Sequence, residues 1–407
     1  MKRVVFLIDM MSFYASVEKV YHPHLFQHPV VVAGDPVRRS GVILAACPVA
    51  KSYGIKTAQA LWEAQALCPE VTVLKPRMQL YIDISTQINE LFLTYTDQVE
   101  PFSVDESFIE LTGTVHQSQP EQTAKSLQKA ILRQFGIYAR IGIGENKILA
   151  KSACDLQAKK RPGGIFHLHK NRLANDFWPF AIGELFGVGN RMEKHFMQTG
   201  IRKIGHLANY PVEELQHRWG INGELLWQYA NGIDPSPVTP DTHQQKKSIG
   251  HGMTLPRDYH QRTEIFVILR ELAEEVARRT RDERLIGNQL SLGIGGTYEN
   301  PVGFSRQLTL NMATNDGRVI YHACQKLFDR HWVGTPVRRI GLSLEKVEPD
   351  THRQLSLFDE VEDRSSLNQT LDALKDRYGG GIIMYASSLT DAGQALERSK
   401  KIGGHYK

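Results

Sequence analysis

"PFSVDESFIEL", residues 101–111, sets two adjacent carboxylates between short runs of apolar residues. Phe102, Val104, Phe108 and Leu111 demand burial, in the alternating manner of a half-buried strand. No Lys or Arg lies within the stretch to neutralise Asp105 and Glu106. Like charges held this close leave one carboxyl protonated or require a cation between them. The pair alone also reads as a solvated hairpin turn. The cation becomes the stronger reading once a third carboxylate is found to join them.

That third group is Asp9. "RVVFLID", residues 3–9, reads as a buried strand ending on it, and "SFYASVEKVY" follows as a helix with Ser12 at its N-cap. "HPVVVAGDPVRRSGVILAACPVAKSYGI" reads as two apolar strands joined by a Gly/Pro/Arg turn, then a short helix. A helix is expected over about 79–95, two strands around the acidic pair at about 98–103 and 106–112, and a helix over about 120–135. "IYARIGIG" is a further strand, and "NKILAKSACDLQAKK" a helix with basic residues at its far end. With 22–76 set aside, this order is β-α-α-β-β-α-β-α and contains the split β-α-β pattern of ferredoxin-like folds. In such a sheet Asp9 ends the first strand and the acidic pair starts a neighbouring one. The three carboxylates then meet on one edge.

Bulk properties bound the rest. At 407 residues the chain has room for two to four domains at roughly 100–200 residues each. A hydrophobic fraction of 41%, a charged fraction of 23% and a net charge of +5 are ordinary for a globular protein with a mild basic bias, compatible with a polyanionic partner. Cys47, Cys68, Cys154 and Cys324 are scattered without a C-x-x-C pair, which argues against a zinc ribbon or disulfide framework and for a reducing cytosol. The N-terminal apolar run is broken by Asp9, too early for a signal peptide. No stretch approaches the roughly 18 apolar residues of a membrane span.

Beyond about residue 180 the chain changes character. "LFGVGNRMEKHFMQTGIRKIGHLA", residues 185–208, places a G-x-G turn between short helices. Backbone N–H groups at Gly187 and Gly189 suit a phosphate oxygen, as in a helix-hairpin-helix, although an ordinary tight turn reads the same way. "GIDPSPVTPDTHQQ" marks a boundary. Then "KKSIGHGMTL", a helix at 260–283, "NQLSLGIGGTY", "FSRQLTLNM", a helix at 315–331 and "VRRIGLSLEKV" give β-α-β-β-α-β again, without an acidic cluster. Lys246, Lys247, Arg306, Arg338 and Arg339 lie on or beside these strands, so one sheet face is either a nucleic-acid-binding surface or a solvated basic face. In "RQLSLFDE", Gln354, Leu355, Leu357 and Phe358 form a short peptide that suits a partner's pocket or packs back as a strand. The tail at 364–407 includes one expected helix and a basic end.

Three segments, "FLIDMMSFYASVE", "SVDESFIEL" and "IGIGENKILAKSACDLQAKK", resemble the catalytic-core motifs of Y-family translesion DNA polymerases. The G-V-G turn, the "KKSIG" strand start and the domain order fit the same family over about residues 1–350, and "QLSLF" resembles the sliding-clamp-binding motif of bacterial members, those of the UV-damage-repair and mutagenesis type. The resemblance implies an α+β, multidomain right-hand polymerase. A ferredoxin-like palm covers 1–21 and 77–178, small fingers 22–76, a helical thumb 179–240, a DNA-binding little finger 241–350 and a clamp-binding tail 351–407. It also implies primer–template DNA, deoxynucleoside triphosphates and a sliding clamp as partners, acting as a monomer in the cytoplasm.

By the same resemblance two Mg²⁺ ions serve nucleotidyl transfer. Asp9 and Asp105 bridge them, Glu106 holds the one on the hydroxyl side, and the Met10 carbonyl is a further ligand. Phe13 and Tyr14 start the helix that cradles the triphosphate, with Tyr14 as the steric gate against ribose; the other reading makes both aromatics core. Many members place a Tyr and an Arg, three residues apart, on the triphosphate. Here "CPVAKSYG" offers Pro48 and Lys51, and Lys51 brings charge without a bidentate fork. "AKKRPGG" offers Lys159, Lys160 and Arg161 for the second triphosphate contact, and Lys160 is assigned it. Fingers this small imply loose enclosure of the nascent pair, low fidelity and lesion tolerance, and too little chain remains for a proofreading domain. Two rivals remain. One is a catalytically inactive DNA- and clamp-binding accessory, opposed by the intact carboxylates. The other is a nucleotide cyclase with a related palm, opposed by the lack of a G-G-D/E-E-F type loop.

Overall fold

A strand of continuous apolar residues is at home only where both sheet faces are covered. In the computed structural model β1 (Val5–Met10) is such a strand, buried at every position. The structure describes residues 2–34, 41–240, 246–351 and 364–406. They divide into two compact units, meeting in sequence at His243 and Gln244.

In the first unit β1 is followed by α1 (Phe13–Tyr21), β2 (Val30–Ala33), β3 (Ile43–Ala46), α2 (Pro48–Ser52), α3 (Leu61–Leu67) and β4 (Thr72–Leu74). Next come α4 (Met78–Leu93), β5 (Val99–Pro101), β6 (Glu106–Glu110), α5 (Pro120–Phe135), β7 (Ala139–Gly144), α6 (Lys147–Ser152) and β8 (Ile165–His167). The main sheet has the order β5-β6-β1-β7-β8, the arrangement expected of a ferredoxin-like palm with one added edge strand. β1 runs antiparallel to both β6 and β7, and β8 is parallel to β7. β2, β3 and β4 form a separate three-stranded sheet within the segment expected to be fingers.

α6 does not run on as a regular helix. It continues into a π turn at Ala153–Gln157 and a 3-10 turn at Ala158–Lys160. This rod lies directly on β7. A Cβ on Gly142 would stand 2.0 Å from the Ala150 carbonyl oxygen and 2.3 Å from the Cys154 nitrogen. Only glycine permits that approach, and the approach brings the rod's side chains over the end of β1.

The rod shares its core with the helical segment that follows. Ile148, Leu149 and Leu156 pack with Phe177, Phe196, Leu207 and Leu226. The segment comprises α7 (Leu173–Asp176), α8 (Asn190–Gln198), α9 (Ile204–Ala208), α10 (Val212–Trp219) and α11 (Ile221–Ala230).

The second unit contains β9 (Ser248–Tyr259), α12 (Arg262–Asp282), β10 (Leu285–Gly295), β11 (Phe304–Thr314), α13 (Gly317–His331) and β12 (Val337–Pro349). This is the β-α-β-β-α-β order read from the sequence, with an antiparallel sheet ordered β11-β10-β12-β9. The tail has an account that the sequence reading lacked. α14 (Ser365–Tyr378) returns to α12, where Arg281 grips Asp372 through two bonds of 2.6 and 2.9 Å. Further on, the buried Tyr259 hydroxyl donates to the Ala392 carbonyl at 2.7 Å, and the Gln394 N–H reaches the Glu271 carboxylate at 3.1 Å. Among the described residues no helix is long and apolar enough to cross a membrane.

Candidate active site

Strand register decides the site. Asp9 on β1 stands directly opposite Glu106, the first residue of β6. One step on, the Met10 N–H donates to the Asp105 carbonyl at 2.9 Å. Three acidic residues separated by almost a hundred positions thus converge at one end of the sheet. Opposite like charges on adjacent strands repel, so the pair has to be compensated.

The rod beyond α6 supplies that compensation. Lys151, Asp155 and Lys159 follow at intervals of four and share its inner side. The Lys159 ammonium lies 2.6 Å from Asp9, 2.8 Å from Asp155 and 3.8 Å from Glu106. Lys151 pairs with Glu106 at 3.0 Å and Asp155 at 3.3 Å. Burial pushes the Asp9 carboxyl up to about 7; Lys159 opposes this shift and Glu106 adds to it. Burial also works against the charge on Lys159, but Asp9 and Asp155 outweigh it and hold the ammonium above its usual range.

One carboxylate oxygen from each of Asp9, Glu106 and Asp155 lies within 4.8 Å of the other two. An all-oxygen donor set of this kind suits a hard divalent cation, so the residues fit metal binding. Asp105 contributes differently. Its Oδ1 accepts from the Ser103 hydroxyl at 2.7 Å, and its charge, second to burial, raises the Tyr14 hydroxyl above its usual range.

Tyr14 rests on a rigid base. Its ring stacks on Tyr81 of α4, with centroids 4.6 Å apart. The buried Tyr81 hydroxyl donates to Glu18 at 2.6 Å, and Arg77 grips the same carboxylate at 2.7 and 3.0 Å. Phe13 is only 2% exposed and belongs to the core, whereas Tyr14 is partly open. At the start of α1, Ser12 takes a left-handed backbone, φ 50°, and its side chain makes no capping bond. Its hydroxyl instead accepts from Lys51 at 2.9 Å, which brings Lys51 beside the helix start.

Other expected residues lie elsewhere. Lys160 pairs with Glu184 at 3.6 Å and sits over the Phe180 ring; the residue before it takes the place among the carboxylates. Gly187 has φ +90°, and Gly189 precedes α8 with open space at its Cβ position. In the second unit the basic residues are distributed over both sheet faces and the edge. Arg339 shares the outer face with Gly341, Ser343, Gly252 and Gly293. Arg306 registers with Leu292, on the side of the buried core, though its own side chain is exposed at the sheet edge. Arg338 pairs with Asp258 at 3.2 Å, and Lys246 pairs with Glu283. Gln354, Leu355, Leu357 and Phe358 lie outside the described residues.

Asp155, Lys151, Lys159 and Tyr81 went unselected in the sequence. The signal for the first three was their spacing of four in "KSACDLQAK". Tyr81 carried none beyond helical periodicity.

Comparison with known proteins identifies related chains. Residues 8–155 match the impB/mucB/samB family, residues 246–357 the C-terminal domain of that family, and residues 183–234 the thumb domain of DNA polymerase-iota. DNA polymerase IV 2 of Bacillus subtilis is 50% identical over 100% of this chain and 99% of its own length. DNA polymerase IV of Moorella thermoacetica is 42% identical over 96% of this chain and 97% of its own. Among solved structures, a Y-family DNA polymerase chimera superposes with a TM-score of 0.72 at 23% identity, covering 85% of this chain and 99% of that one.

Proposed function

The chain belongs to the impB/mucB/samB family, the Y-family translesion DNA polymerases, and we propose that Asp9, Asp105 and Glu106 are the carboxylates on which its reaction turns. It is a DNA-directed DNA polymerase of the right-hand fold, extending a primer from deoxynucleoside triphosphates, and its family works with divalent metal. The observation that carries the site assignment is the register of Asp9 against Glu106, with Asp105 joined to Met10 beside them. These residues and the Met10 carbonyl would hold two Mg²⁺ ions, whose chemistry there would be to activate the primer hydroxyl and to neutralise charge at the phosphorus.

The chain's own groups then divide the work. The α1 amides, Lys51 and Lys159 receive the triphosphate, with Lys159 in the role first given to Lys160. Asp155 aims Lys159 from 2.8 Å away. Tyr14 closes the sugar side, supported by Phe13 and Tyr81. The Gly187–Gly189 turn, Lys246, Lys247, Arg306, Arg338 and Arg339 contact DNA phosphates. All four cysteines are free and buried, which suits work in the cytoplasm. A single primer–template requires one copy of the chain.

Primer extension tests this. The purified chain with primer–template, Mg²⁺ and deoxynucleotides should give short, distributive products. Chelation of the metal should abolish them and excess Mg²⁺ should restore them; synthesis that survives full chelation refutes the metal assignment. Recruitment rests on the sequence of residues 354–358 alone. Replacing Leu357 and Phe358 by Ala should remove stimulation by the sliding clamp and leave basal synthesis intact. Equal loss of both would assign the peptide to packing.

A further inference from the structure

The outer edge of the first unit's main sheet carries a second group of metal-ligating side chains, which polymerisation leaves unused. His167 ends β8, the edge strand, and His169 continues the chain in extended backbone, φ −83° and ψ 138°. Residues two apart in extended chain share a face, and the two imidazoles lie with centroids 3.8 Å apart. Glu121, in the first turn of α5, places Oε1 2.6 Å from His167 Nδ1. One ligand atom from each of Glu121, His167 and His169 lies within 4.8 Å of the other two. His167 is half-buried and the other two are exposed, so the group is anchored on one side and open on the other. Glu145, paired with Lys2 at 3.5 Å, stands close enough to add negative charge.

This group is separate from the polymerase site. His167 registers through Ile143 with Phe6, and Asp9 lies three residues further along β1. That separation is about 10 Å along the strands and about 10 Å across them. The donor chemistry differs too: two imidazole nitrogens and one carboxylate oxygen suit a borderline ion better than a hard one.

We propose that Glu121, His167 and His169 form a Zn²⁺ site, with the remaining coordination position left to solvent. The ion ties the edge strand to the start of α5, where the Glu121–His167 bond already links the two elements. Binding to the folded chain alone then raises its stability.

Equilibrium dialysis of the full chain against Zn²⁺, in excess Mg²⁺ to occupy the polymerase carboxylates, tests this. Wild type should bind a single Zn²⁺, and Co²⁺ in its place should give the strong visible absorption of a nitrogen-containing, low-coordinate site. The variant with His167→Gln and His169→Gln should bind at least tenfold more weakly and lose the Zn²⁺-dependent rise in Tm. Its Mg²⁺-dependent primer extension should be unchanged, which shows that it is folded. If that variant does not fold, Glu121→Gln takes its place with the same expectation. The variant with Asp9→Asn and Glu106→Gln should keep the Zn²⁺. No binding by wild type, undiminished binding by folded histidine and Glu121 variants, or loss in the carboxylate variant would overturn the site.

Discussion

Primer extension should fall by at least about 10²–10³-fold when Asp105 is replaced by Ala, with similar losses for Asp9→Asn and Glu106→Gln. That is the scale for removing one preorganised electrostatic group from a reaction centre. The fold should not follow. The described bonds of the Asp105 side chain amount to one from Ser103, while the backbone link to Met10 survives any substitution. Glu106→Gln removes one of two facing carboxylates, relieving repulsion, and Lys151 keeps Asp155 as its partner. Tm should therefore stay within a few degrees of wild type in all three, since about 1 kcal/mol moves Tm only a few degrees in a domain of this size. Asp155→Asn separates two roles. As the residue that aims Lys159, it should weaken the apparent affinity for deoxynucleotide more than it slows kcat. A loss as complete as that of Asp105→Ala would place Asp155 among the metal ligands instead. Undiminished synthesis by Asp105→Ala would refute the assignment.

The parts of this site that could be read in advance were those set by strand alternation. β1 announces itself as an unbroken apolar run, and a strand register has only two faces to choose between. Asp9 and the acidic doublet therefore fell into place from pattern alone. The lysine did not, because Lys159, Lys160 and Arg161 stand in a row, and only the spacing of four from Lys151 through Asp155 singles out the first of them. One residue of ambiguity separates Lys159 among the carboxylates from Lys160 beside Glu184. The glycines of β7 carried information that sequence alone does not decode. Gly142 looks like a weak strand residue until the rod is seen to touch it. In the second sheet a bulge between Val337 and Arg339 shifts the alternation at the arginine pair, which strand pattern alone does not reveal. The tail's helix was legible, but not its seat on α12, which is set by side-chain pairs such as Arg281 with Asp372.

Tyr14→Ala should raise ribonucleotide incorporation relative to deoxynucleotide by about 5- to 150-fold. A side chain forced against an extra group in a packed site costs about 1–3 kcal/mol, and each 1.36 kcal/mol is about tenfold in rate. The clash has to be with something that does not yield, and Tyr14 has such a support. Tyr81 backs its ring at 4.6 Å, and Glu18 with Arg77 fixes the Tyr81 hydroxyl. Tyr81→Phe keeps the ring and should leave most of the selectivity. It also leaves the buried Glu18 carboxylate without one of its donors, so its cost should appear in Tm. Tyr81→Ala removes the backing and should relax sugar choice part of the way towards Tyr14→Ala. Combining the two replacements should then add little, because both act on one contact. Competition between a ribonucleotide and the matching deoxynucleotide, read as a ratio of kcat/KM, measures all of this. The ratio cancels any general loss of activity, so unchanged discrimination in Tyr14→Ala would mean that the sugar is read elsewhere.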